Sequence, residues 1–147
     1  MIREMKPKDY PAVYALWKSV SRFGMRTVDD SEENITRFLR RNAGLSVVAV
    51  EDDSIVGSIL CGHDGRRGCL YHVCVDPDYR LRGIGKSMVV FAMEALRKEK
   101  INKVSLIAFT KNDIGNAFWK EIGWTKREDL NYYDFTLNTA NIEAFNQ

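Results

Sequence analysis

Residues Val73 to Ser87 read VCVDPDYRLRGIGKS, and this stretch constrains the chain more than any other. A run of β-branched and apolar residues is stopped by Pro77, passes through a basic loop holding Gly83 and Gly85, and enters a long amphipathic pattern. In that pattern Ile84, Met88, Phe91, Ala92, Ala95 and Leu96 share one helical face, and Arg97, Lys98 and Lys100 suit the negative end of the helix dipole. A buried strand, a glycine loop and a helix in succession allow backbone to approach a ligand closely. The first helical amides have no internal partners, so the loop faces an anion with free N–H groups and the positive end of a dipole. Arg80, Arg82 and Lys86 add charge there, and phosphate is the expected guest.

The rest of the pattern predicts a mixed α/β fold. Ile2 to Met5 suits a short edge strand, and from Asp9 the residues Val13, Leu16, Trp17 and Val20 recur at helical spacing. Ser21 to Asp30 breaks the pattern. Ser31 then opens a second helix with Ile35, Phe38 and Leu39 on one stripe, ending near Asn42 and Gly44. Leu45 to Val50, Ser54 to Cys61 and Cys69 to Val75 read as three strands joined by turn chemistry at Asp52-Asp53 and His63 to Gly68, an antiparallel meander. Lys103 to Phe109 predicts a further strand, Asp113 to Ile122 a short helix stopped by Gly123, and Tyr132 to Leu137 a last strand. A strand, long helix and strand in direct succession imply one parallel crossover. The expected architecture is a central, mostly antiparallel twisted sheet with helices on both faces, and residues 1–147 as a single domain.

Charge narrows the partners. Lys and Arg number 22 against 20 Asp and Glu, and the 50-residue blocks are nearly balanced, with 9 basic against 6 acidic residues in the first and 8 against 8 in the second. Nucleic-acid-binding domains gather Lys and Arg on one face with a pI above about 9, so a nucleic-acid partner is not expected. No run reaches the roughly 18 apolar residues of a membrane span, and the first residues lack a signal peptide's apolar middle, so a cytoplasmic protein without a membrane partner is expected. Cys61, Cys69 and Cys74 are odd in number and lie in apolar runs, as free cysteines do. They lack a repeated metal spacing, and no metal site is expected.

Three phosphate motifs compete for the glycine loop. A Walker A loop requires glycine where Arg80 stands, and a dinucleotide fingerprint requires a third glycine where Met88 stands. Arg-x-x-Gly-x-Gly, Arg80 to Gly85, remains. With the preceding Val-Asp-Pro it resembles the coenzyme A pyrophosphate loop of the GNAT superfamily of N-acetyltransferases. Asn112, Ala117-Phe118-Trp119 and Gly123-Trp124 resemble the family's later signature, and the order of elements is similar over nearly the whole chain.

The resemblance implies acetyl-CoA as co-substrate, transferred directly to an amine in a ternary complex without a metal. It also implies roles for residues. Val73, Cys74 and Val75 would offer backbone groups to the pantetheine arm, and Leu81, Arg82, Gly83, Ile84, Gly85 and Lys86, beside Arg80, would wrap the pyrophosphate. Asn112 would touch the cofactor arm, or serve as a plain helix cap, or both. Trp119 stands where relatives commonly carry a tyrosine that protonates the departing thiolate, which an indole cannot do near neutral pH. A thiol of pKa about 8.5 leaves fairly well as its anion, and Trp119 would then line the pantetheine tunnel or simply pack with Phe118 and Trp124.

No obvious general base stands at the positions relatives use, here Cys69, Tyr71 and Ile107. Tyr71 either relays a proton through water or lines the pocket. His72 is chemically better, but strict alternation puts it on the face opposite Tyr71 and Val73 unless a bulge re-aims it, and a histidine packed under the helices is the expectation. Phe23, Arg26 and Tyr132 lie in segments where relatives bind the acceptor, and Arg22 and Arg26 are either carboxylate contacts or solvated surface. A primary amine of a small molecule or amino-acid-like metabolite is the first acceptor expected. A protein N-terminus, as in ribosomal-protein acetyltransferases, or a non-catalytic acyl-CoA-binding module are the alternatives, and a homodimer is left open.

Overall fold

The computed structural model describes residues 1–147. Its main sheet has five strands in the order β1-β3-β4-β5-β6, where β1 is Ile2–Glu4, β3 Val47–Glu51, β4 Ser54–His63, β5 Gly68–Val75 and β6 Val104–Leu106. The first four pair antiparallel, and β6 joins β5 in parallel through the crossover helix α3, Ile84–Lys98. The expected meander and its single parallel crossover are therefore present.

Period-two alternation sorts the sheet into two cores. Val47, Ala49, Ile59, Cys61 and Leu70 face α3 through Ile84, Met88, Val89, Ala92 and Leu96. Val48, Leu60 and Cys74 face the other way, against α1, Tyr10–Ser19, and α2, Glu32–Arg41. Trp17 and Val13 of α1 and Ile35 and Leu39 of α2 fill that side. The Ser31 hydroxyl caps α2 by accepting from the Asn34 amide at 3.3 Å, so the imperfect capping box still functions. None of the helices is long and apolar enough to cross a membrane.

Three sequence expectations are corrected. Tyr132 to Leu137 forms no strand: Tyr132, Tyr133, Phe135 and Leu137 are exposed on both faces and have no core to cover. The chain is drawn elsewhere, because the Asn141 side chain accepts from the Val28 and Asp29 amides, and β7, Glu143–Phe145, pairs antiparallel with β2, Gly24–Arg26. The segment Ser21 to Asp30 is thus partly a strand. The strand expected over Lys103 to Phe109 keeps only Val104–Leu106, since pairing with β5 ends at Leu70.

Candidate functional site

The two parallel strands separate beyond Leu70. Gly68, Cys69 and Leu70 pair with Val104, Ser105 and Leu106, whereas Tyr71 to Val75 keep their partners on β4 alone. The β5 edge that faces β6 is open there. Val73 and Val75 turn their side chains to the α3 core, and Cys74 is buried on the α1 side, where burial pushes its thiol up to about 12. These side chains are structural, and what β5 presents outward is backbone.

The chain then makes a 3-10 turn, Pro77–Tyr79, and enters the glycine loop. Arg80 turns back, donating from Nε to the Val75 carbonyl at 3.2 Å, and Arg82 lies over the Tyr79 ring at 4.9 Å. Leu81 adopts φ 64° with its side chain fully in solvent, and Gly83 takes φ 78° as the residue preceding α3. Those left-handed residues aim the loop backbone outward, and Ile84, 8% exposed, pins the helix start to the core. The amides of Ile84, Gly85 and Lys86 find no acceptor in the chain, the first helical bond being Ser87 N–H to the Gly83 carbonyl at 3.0 Å. The result is a cluster of free donors beside Lys86.

A second helix closes on the loop. α4, Asp113–Glu121, starts at Asn112, whose Oδ1 accepts from the Gly115 amide at 3.0 Å. Its Phe118 ring packs against Gly85, and Trp119 lies edge-on to Phe118 at 5.0 Å and tilted over Trp124 at 4.7 Å. Asn112 is a helix cap, as one of its two readings had it, and Trp119 packs among aromatics. The loop, the open β5 edge and α4 thus meet around Gly85, which lies against Phe118 and Val75.

The candidate acceptor residues divide. Phe23, nearly buried, touches the His72 ring at 4.8 Å. Arg26 is held by Glu143 at 2.8 Å, and Arg22 by the Lys111 carbonyl and Asp113, so neither guanidinium is free of partners. Tyr132 is exposed in irregular chain. Burial and the neighbouring Cys69 push the Tyr71 hydroxyl well above the usual tyrosine value, with Tyr132 adding to the effect. Like any tyrosine, Tyr71 keeps its proton at neutral pH, which leaves both the relay and the pocket-lining roles open to it.

His72 is packed under the helices, but a bulge brings it there. Its ring meets Trp17 at 4.6 Å, and its Nε2 lies 2.7 Å from Asp30 Oδ1. Sequence reasoning missed Asp30 and Ser58. Asp30 was visible only as the last acid of an irregular segment, and Ser58 as a polar residue in an otherwise apolar strand.

The pairing of β5 with β6 thus ends beside a helix start whose first amides are free, and the comparisons give the family. The family model described as the acetyltransferase (GNAT) family matches residues 10–124. An acetyltransferase of Sodalis glossinidius is 30% identical over 129 residues, 88% of this chain and 89% of the relative. Among solved structures, the PaiA N-acetyltransferase of Thermoplasma acidophilum in complex with coenzyme A superposes with a TM-score of 0.74 at 16% identity, covering 99% of this chain and 98% of that one. The aminoglycoside acetyltransferase AAC(6')-Iy, in complex with a bisubstrate analogue, gives 0.70 at 17% identity, covering 92% and 97%. The chain belongs to the GNAT acetyltransferase family, and it is an acyltransferase.

Proposed function

We propose that residues 1–147 form one catalytic domain that moves the acetyl group of acetyl-CoA onto a primary amine of a small molecule, by direct attack in a ternary complex. The observation that carries this reading is the set of free amides at Ile84, Gly85 and Lys86, next to a β5 edge left open from Tyr71 to Val75. Pyrophosphate fits the first and the amide-rich pantetheine arm fits the second, as an added strand would. Arg80, Leu81, Arg82 and Gly83 complete the pyrophosphate wrap, and Asn112 and Trp119 flank the arm. An aminoglycoside acetyltransferase among the structural neighbours supports a small-molecule amine as acceptor, an amino-acid-like metabolite included. Free thiols at Cys61, Cys69 and Cys74 suit the cytoplasm.

Neutral amine attacks the thioester carbon, and the tetrahedral intermediate collapses with the electron pair leaving on the CoA sulfur. Availability of neutral amine is the first requirement: at pH 7.4 an amine of pKa about 8 is roughly one fifth neutral, and one of about 10.4 only about 0.1% neutral.

Calorimetry with CoA tests the loop. Gly83→Glu abolishes binding by setting a carboxylate in the anion site, while Gly83→Asn, which tolerates the left-handed backbone, retains it. Unchanged affinity in Gly83→Glu overturns the assignment. An acetyl-transfer assay over a panel of amines, read as thiol release, tests the acceptor class, and CoA binding with no release for any amine overturns the enzymatic reading of this site.

A further inference from the structure

The residue re-aimed by the β5 bulge is a histidine with a buried carboxylate behind it. Tyr71 opposes Leu60 and Cys74 opposes Ser58, so His72 and Val73 together stand against Ile59. Strict alternation is thereby broken, and Tyr71 and His72 both face α1 and α2, Tyr71 edge-on to Phe38 at 6.0 Å and His72 against Trp17 and Phe23. His72 takes φ 48°, a left-handed backbone that costs a non-glycine residue and is met mainly where the surroundings impose it. Ser58 holds the bulge in place, accepting from Trp17 Nε1 at 2.9 Å and donating to the His72 carbonyl at 3.3 Å.

Asp30 is 5% exposed, and both of its oxygens are engaged. Oδ2 accepts from the Arg26 amide at 2.7 Å, which fixes the carboxylate, and Oδ1 lies 2.7 Å from His72 Nε2. A carboxylate only accepts, so the ring nitrogen facing Asp30 carries a proton, and in the neutral imidazole that leaves the lone pair on Nδ1. Nδ1 has no hydrogen-bond partner within the chain, yet no buried side-chain nitrogen or oxygen is left unsatisfied, so Nδ1 reaches solvent. Around the pair stand the Tyr10 hydroxyl, on the Asp30 carbonyl at 2.6 Å, the Cys74 thiol beyond Ser58, and Tyr71 with Cys69 on the strand itself. The Arg26 guanidinium is turned away to Glu143.

We propose that Asp30 and His72 form the base dyad of the acetyl transfer, a reading that rests on the proposed acetyltransferase site. His72 lies on the stretch of β5 that β6 leaves unpaired, where the proposed site seats the thioester, and its ring touches Phe23 of the segment expected to meet the acceptor. The amine nitrogen bonds to the acetyl carbon, and its surplus proton passes to His72 Nδ1. The carbon–sulfur bond then breaks, its electron pair leaves on the CoA thiolate, and the imidazolium returns the proton to the thiolate or to water. Asp30 is a positioning residue: it fixes the tautomer and offsets the positive charge the ring gains.

His72→Asn is the informative variant, because asparagine tolerates the left-handed backbone while removing the base. It lowers kcat by about 10² to 10⁴ and leaves in the acid limb of kcat/KM only the amine's own titration, with CoA affinity by calorimetry unchanged. Asp30→Asn lowers kcat less and alters the same limb. Full kcat with an unchanged pH profile in His72→Asn overturns the dyad. Nitrogen-15 NMR of the wild-type imidazole reads the same arrangement without turnover: the Nε2–H tautomer supports it, and the Nδ1–H tautomer overturns it. If wild-type protein binds CoA but acetylates no amine, the proposed site fails and the dyad with it, whereas an active enzyme that keeps full kcat as His72→Asn overturns the dyad alone.

Discussion

Gly85 and Phe118 meet so closely that a β-carbon built on Gly85 stands 3.2 Å from Phe118 Cε1 and 3.3 Å from Cζ. One missing side chain thereby lets α4 rest on the start of α3. Alanine at this position asks the ring to yield by a few tenths of an ångström, a cost opposed by the roughly 0.5–1 kcal/mol that alanine gains over glycine within a helix. Gly85→Ala is accordingly close to neutral in stability. Gly85→Val has no such compensation: two further methyl groups press on the ring and on Val75, costing about 1–3 kcal/mol in urea denaturation. Because the same contact sets the loop against α4, the valine variant also weakens CoA binding in calorimetry more than the alanine variant does.

Gly83 is the opposite case, since an added β-carbon there meets nothing within 4 Å while φ is 78°. Only the backbone is at issue. Gly83→Ala costs about 1–2 kcal/mol for the left-handed conformation, and Gly83→Asn costs less. A loss in Gly83→Asn equal to that in Gly83→Ala, measured by the same denaturation, shows that something other than backbone conformation holds this turn.

The Trp17 indole and the Ser58 hydroxyl are both without solvent exposure and joined at 2.9 Å. Ser58→Ala removes the acceptor and leaves the indole N–H buried without a partner, an expected loss of about 1–3 kcal/mol. The His72 carbonyl and the Cys74 thiol lose a neighbour as well, so the bulge loosens and turnover falls along with stability. A variant as stable as wild type by urea denaturation refutes this account of the bulge.

That bulge marks where sequence stops being legible. The meander, the crossover, the glycine loop and the Asn112 helix follow from local signals: alternation, turn residues, a cap, an amphipathic stripe. Each involves residues near one another in the chain. The aim of His72 depends instead on how many residues of β5 oppose one residue of β4, a count no local pattern encodes, and its partner Asp30 lies 42 positions away. Tyr132 to Leu137 fails for the converse reason. Its alternation is strand-like, yet a strand also needs a neighbour, and the Asn141 contacts with Val28 and Asp29 carry the chain to β2 instead.

Arg3 and Asp9 give the fold a dependence on acid. The guanidinium donates to both Asp9 oxygens, at 2.8 and 2.9 Å, and the Lys6 amide adds a third bond at 2.8 Å, tying β1 to the turn before α1. Asp9 is 7% exposed, and the Arg3 hydrogen bonds, outweighing the effect of burial, hold its carboxyl below the usual aspartate value. With the folded value depressed, the pair's contribution is complete above the unfolded aspartate value of about 3.9 and disappears as pH falls through the lower folded value. Asp9→Asn therefore destabilises the neutral protein by about 1–2 kcal/mol, toward the low end for a charged hydrogen bond because one face of Arg3 is open to water. As the pH is lowered below about 4, the wild-type and variant stabilities converge, and denaturant midpoints that instead keep a constant separation down to pH 2 show that Asp9 is not the group being titrated.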